Sequence, residues 1–172
     1  MWAIRLADNN APDNKGYVEF KLSGSAGYKS VSSSLLPVYD NEFMSVMLTR
    51  TSASGHGVQL TSDDINQNIR YDLAVKKYDS SRSKIYLAST SSLSINGSHP
   101  SGSNVSKSYH AAMTQSSTVY IGGAPSTIHG IQFSGSLMEF RYWNTALSMS
   151  NFDNHVASPK SYDGNHVSAS WT

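Results

Sequence analysis

Alternation of apolar and polar residues with a period of two is what most restricts how this chain can fold. It recurs in run after run, while helical periodicity is almost absent. In Tyr17-Val18-Glu19-Phe20-Lys21-Leu22 a strand would point Val18, Phe20 and Leu22 to one side and Glu19 and Lys21 to the other. Met1 to Ala7 alternates in the same way. Ile69 to Tyr78 sets Tyr71, Leu73 and Val75 on one face, Asp79 to Ser83 has the composition of a hairpin turn, and Lys84 to Ser89 returns antiparallel. Glu42 to Arg50 reads as a strong strand with Phe43, Val46 and Leu48 as core candidates and a change of facing near Ser45. Tyr28 to Ser32, Val58 to Leu60, Lys107 to Met113, Thr118 to Ile121, Phe133 to Trp143 and Val167 to Trp171 extend the set, with a short apolar element at Leu93 and Ile95. About ten to twelve short strands in one domain imply an all-β fold of two packed antiparallel sheets. A parallel α/β fold would need crossover helices, and the sequence offers none. The one helix expected lies near residues 148–155, where Ser148 supplies the cap for Met149 to Asn154 and Pro159 prevents much continuation.

The chain has 172 residues, which suits a single core spanning residues 1–172. It contains no cysteine, so disulfides, thiolate metal sites and thiol nucleophiles are excluded together, and sheet packing has to supply the stability. Its net charge is +1, and its 13 lysines and arginines are scattered rather than gathered on one face, which argues against nucleic acid as a partner. No apolar run approaches the roughly 20 residues of a membrane-spanning helix. The amino terminus opens on a strand pattern, and the end at Ser170-Trp171-Thr172 is abrupt. The first feature suggests that the opening segment belongs to the fold, the second a domain taken from a longer chain.

The segment Tyr120-Ile121-Gly122-Gly123, followed by Phe133-Ser134-Gly135-Ser136-Leu137-Met138-Glu139-Phe140-Arg141-Tyr142-Trp143-Asn144-Thr145-Ala146-Leu147-Ser148, resembles the C-terminal signature of laminin-G-like and pentraxin-like domains of the concanavalin-A-like superfamily. In those domains a strand ends in a Gly-Gly turn. A phenylalanine, a glycine, an apolar-acidic-apolar strand, an arginine, a tryptophan and an alanine-leucine-serine step into a short helix follow. The resemblance implies a jelly-roll sandwich. Alternation puts Met138, Phe140 and Tyr142 on one face, expected in the core, and Trp143, at the end of the strand, is expected to cover the sandwich end against Leu147 and Phe152. Gly122, Gly123 and Gly135 would relieve tight backbone approaches. The continuation through His155, Pro159, Tyr162, Gly164 and Asn165 is similar to domains embedded in tailed-bacteriophage structural proteins. What this implies is a recognition or adhesion module in a virion fibre, tail or head-decoration protein. It would meet a surface glycan or neighbouring virion proteins, and as part of a fibre it would be oligomeric, for instance trimeric. Outside a phage, the same module would be extracellular or surface-exposed.

The residues give little support to catalysis. Glucanases of this fold place paired carboxylates on alternate residues of one strand, whereas Glu139, Glu42 and Glu19 stand isolated and Asp63-Asp64 are adjacent in a loop. There is no Gly-x-Ser-x-Gly elbow, the six histidines form neither a His-x-His pair nor a His-Glu-x-x-His helix, and Gly122-Gly123 lacks the lysine of a phosphate loop. The one cofactor the resemblance implies is calcium at a rim loop, and no segment here matches a family calcium motif residue by residue, so the candidates rest on oxygen donors alone. Asp63, Asp64 and Asn66 form the best cluster, Asp40 and Asn41 the next, and Asp8, Asn9, Asn10 and Asp13 the third. Tyr39, Tyr162 and Trp171 are the aromatic residues expected to face a ligand or partner. The readings, in order, are a non-catalytic glycan-recognition module, a purely structural decoration or spacer module, and a glycoside hydrolase.

Overall fold

The computed structural model describes residues 2–7, 12, 14–24, 27–52, 69–95, 135–143 and 146–162. Within them the chain is mostly β, with two antiparallel three-stranded sheets and one short helix. The first sheet is a meander of β1 (Trp2–Ala7), β2 (Tyr17–Gly24) and β3 (Gly27–Ser32), and the second a meander of β4 (Ser45–Ser52), β5 (Ile69–Asp79) and β6 (Lys84–Ile95). The helix, α1, spans Met149–Ala157.

Alternation decides how the sheets meet. Val18, Phe20 and Leu22 of β2 pack against Tyr71, Leu73 and Val75 of β5, with Leu36 closing one side. Phe20 is 0% exposed, and its ring lies 5.0 Å from that of Tyr71 at a tilt of 36°. Tilted pairs of this kind add to the gain from burial, which for such side chains is roughly 2–3 kcal/mol each. Gly16 joins the turn before β2 to the segment after β3 through reciprocal hydrogen bonds with Leu36, each 2.9 Å. A Cβ at Gly16 would lie 2.8 Å from Val38 Cγ2 and 3.1 Å from the Ala7 carbonyl oxygen, so the position requires glycine.

β5 is covered on both faces. Leu73 and Val75 point into the space between the sheets, while Ala74 points outward and packs with Met47, Phe152 and Val156 beneath α1. The Ser148 hydroxyl accepts from the Asn151 N–H at 3.2 Å, which caps the helix as its sequence predicts, and the Ser158 N–H closes the last turn on the Asn154 carbonyl.

Four expectations change. The strand expected from Glu42 begins at Ser45, so Phe43 precedes it and is exposed; Val46 is exposed too, while Met47, on the opposite face of β4, is buried with Phe152 and Val156 of the helix. The element at Leu93 and Ile95 is continuous with Lys84 to Ser89 as one 12-residue strand, since β5 offers a pairing partner as far as Ile69. Residues 135–143 carry no strand. Leu137, Met138 and Tyr142 are exposed and Phe140 is 51% exposed, so these signature residues lie outside the core. Alternation fixes which side chains would share a face but not whether a sheet edge is free to pair. This segment is tied by Arg141 to backbone carbonyls beyond α1 instead. Trp143, expected to cover the sandwich end against Leu147 and Phe152, has its ring 5.4 Å from that of His155, while Leu147 packs against the cluster that contains Phe152. The strands expected at Val58–Leu60, Lys107–Met113, Thr118–Ile121 and Val167–Trp171 lie outside the described residues, as do Gly122, Gly123 and Phe133.

This arrangement separates two phenylalanines. Phe20→Ala is expected to lower stability by roughly 3–5 kcal/mol through lost transfer energy and a residual cavity, and Phe140→Ala by less than about 1 kcal/mol. Urea unfolding of the two variants against the parent measures both, and a larger loss for Phe140→Ala would contradict the assignment of the core.

Candidate functional site

Arg141 organises the surface at the C-terminal end of α1. Its Nε donates to Glu139 Oε1 at 2.7 Å, one Nη1 N–H to the Ser161 carbonyl, one Nη2 N–H to the Pro159 carbonyl, and Nη1 also meets His155 Nδ1 at 2.7 Å. A guanidinium has no acceptor, so Nδ1 of His155 is the unprotonated ring nitrogen in this contact. The single side chain therefore clamps the 135–143 segment onto the helix and onto the chain that leaves it.

A shallow cleft of ≈ 270 Å³ opens beside this clamp, lined by Glu139, Arg141, Tyr142, Trp143 and Tyr162. Tyr142 is 72% exposed and Tyr162 80% exposed, so both rings present their faces to solvent. Trp143 is half-buried against His155. On the other side of Glu139 a second depression is lined by Met138, Ala157, Ser158, Pro159 and Lys160. Aromatic faces beside a carboxylate suit a ligand that has apolar C–H faces and hydroxyl edges.

Comparisons with family models, with curated proteins and with solved structures return no match. The cleft is therefore read from its own chemistry.

Tyr162, expected to face a ligand, is in the cleft, and Glu139, Tyr142 and Trp143 join it. Periodicity predicts Tyr142 in the core, and its exposure corrects that. The signal that could have found the site is the Glu139/Arg141 pair two residues apart, on either side of Phe140 and next to two aromatic residues. Tyr39 is also exposed, but on the loop between β3 and β4. Trp171 lies outside the described residues, as do Asp63, Asp64, Asn66 and the third acidic cluster.

The second calcium candidate takes a different role. Lys77, on the inner face of β5, is 1% exposed, and its Nζ donates to Asp40 Oδ1 at 2.5 Å, Asp40 Oδ2 at 2.6 Å and the Pro37 carbonyl at 2.7 Å. The Asp40 carboxylate thus already holds a cation, the protein's own ammonium. Asn41 beside it adopts a positive φ of 61°, which turns the chain into Glu42. Glu42 accepts from the Tyr86 hydroxyl, and this hydrogen bond is the main reason the phenol is pushed up to about 12. Among the described residues no group of three His, Asp or Glu side chains could hold a metal ion.

Burial raises the Asp40 carboxyl, but the Lys77 hydrogen bond, the Glu42 N–H and the ammonium charge outweigh it, so the group ionises below its ordinary 3.8. A depressed carboxylate stabilises the fold above its unfolded pKa and loses that contribution as pH falls through the folded value. Stability measured by thermal melts is therefore expected to be constant in this term above pH 5 and to fall below pH 3.8. Asp40→Ala, which strands a buried ammonium, should cost roughly 3–5 kcal/mol and remove that part of the acid sensitivity. A variant as stable as the parent would contradict the role of the pair.

Proposed function

We propose that this chain is a non-catalytic recognition module that binds a surface glycan across the cleft formed by Tyr142, Trp143 and Tyr162. The observation that carries the reading is the pair of solvent-facing tyrosine rings set beside the Glu139–Arg141 pair. Sugar rings bind proteins by laying C–H faces on aromatic rings while carboxylates and amides accept from their hydroxyls, and the cleft offers both kinds of contact. Its openness suits the end or edge of a polysaccharide, with modest affinity multiplied where several copies stand together.

The resemblance of residues 120–148 to laminin-G-like and pentraxin-like domains supports placing the module on a jelly-roll sandwich, and the two packed sheets agree with the coarser part of that fold. The similarity of the continuation to phage structural domains supports a virion fibre, tail or head-decoration protein as its setting. In that setting host attachment is the role for a glycan-binding surface.

One observation favours a second reading. Leu137, Met138 and Phe140, close together in sequence, are each exposed, and apolar side chains of this kind are what a neighbouring subunit covers in a purely structural module. The two readings part in solution. A glycan array probed with the domain, with and without calcium, is expected to give binding that Tyr142→Ala and Tyr162→Ala each weaken about tenfold, or 1.4 kcal/mol, with unchanged melting temperatures. No binding in either condition, together with a concentration-dependent oligomer, would instead support the structural module.

A further inference from the structure

The charges around the cleft specify which glycans it can take, given that it binds glycans at all. Arg141 lines the cleft, but four of its five N–H donors are held by Glu139, His155, Ser161 and Pro159. Its positive charge sits 2.7 Å from the Glu139 carboxylate, so it cannot serve an incoming anion as a fresh partner. A bidentate grip on a carboxylate or sulfate needs two parallel N–H groups, and here the guanidinium edges are turned to the protein's own acceptors.

Glu139 is placed differently. Its Oε1 accepts from Arg141, while Oε2 has no hydrogen-bond partner among the described residues. The side chain is 42% exposed and borders both depressions. The open oxygen is an acceptor only, so it fits hydroxyl donors and opposes another carboxylate. Tyr142 and Tyr162 add uncharged ring faces and hydroxyls. Lys160 lines the second depression and not the cleft.

We infer that the cleft selects neutral, hydroxyl-rich sugars and discriminates against acidic ones, with Glu139 Oε2 accepting from sugar hydroxyls while Tyr142 and Tyr162 stack on the ring. Uronic acids, sialic acids and sulfated sugars would meet an acceptor-only oxygen and a guanidinium whose donors are largely taken. Arg141 offsets part of the Glu139 charge, so the penalty is mainly the lack of a donor for the anion, with a residual repulsion that salt reduces.

The test is a glycan array carrying neutral oligosaccharides and their acidic counterparts on matched backbones, read at low and at 0.5 M salt with the unmodified domain. Neutral members should bind at least tenfold more tightly than the matched acidic ones at low salt, with the gap narrowing at high salt. Glu139→Gln, which keeps the size of the side chain and removes its charge, should narrow the gap at low salt as well. Its near-ultraviolet circular dichroism, compared with that of the parent, shows whether the clamp is retained. Equal or tighter binding of the acidic members by the parent overturns the inference and leaves the glycan reading standing. A folded Glu139→Gln with an unchanged gap removes Glu139 from the role. No binding of either class overturns the glycan reading and the selectivity with it.

Discussion

With no cysteine available, the two sheets are joined by burial between the inner faces of β2 and β5. Phe20 and Tyr71 meet at the centre of that contact, and the side chains two residues to either side of Phe20 complete it. β5 bears a double load, because its outer face also receives α1 through Ala74, Phe152 and Val156. A strand covered on both faces cannot alternate cleanly between apolar and polar residues, and β5 answers this with two lysines. Lys76 reaches Asp153 of the helix, with its ammonium 5.5 Å from the Phe152 ring, and Lys77 turns the other way to the Asp40 loop. Long aliphatic stems fill the core positions while their charged ends find carboxylates at its margin.

The ion pairs therefore do different work from the apolar core. Core burial is non-directional and holds the sheets together, whereas the Lys77–Asp40 pair fixes where one loop leaves them, and with it the positions of Tyr39, Glu42 and Phe43. Arg141 repeats this logic beyond α1, using one side chain to hold two chain segments whose backbones do not pair. The cleft arises where those segments meet. Its aromatic rings are exposed because Arg141, rather than a β-ladder, carries the connection.

Much of the sandwich was legible in the sequence. Val18, Phe20, Leu22, Tyr71, Leu73 and Val75 were readable as inward-facing because a period of two has one physical meaning when one sheet face is buried. The cap of α1 was readable because Ser148 stands immediately before the helix and a proline follows it. Phe43 and Val46 were misassigned because the strand starts only at Ser45 and the buried side of β4 is the one under α1, where Met47 sits. Lys77 was invisible as a core residue because charge argues for solvent, and only the fold brings Asp40, 37 residues away in sequence, to its ammonium. The same limit applied to the cleft. Tyr162 could be singled out as an exposed aromatic residue near a turn. Tyr142 could not, since its alternating context is the same whether the segment pairs with a strand or lies on the surface.

The claim on which both the core and the cleft depend is that β2 and β5 form the centre of the fold while residues 136–143 lie on its surface. Native-state hydrogen exchange tests it residue by residue, because amides in a covered ladder open only with global unfolding and unpaired surface amides exchange quickly. The amides of Val18–Leu22 and Tyr71–Lys77 should be the slowest among the described residues, with opening energies matching the global stability, and those of Leu137–Tyr142 should exchange orders of magnitude faster. Protection of Leu137–Tyr142 at the level of β5 would contradict this account, since it would make that segment a buried strand and leave no cleft beside Tyr142.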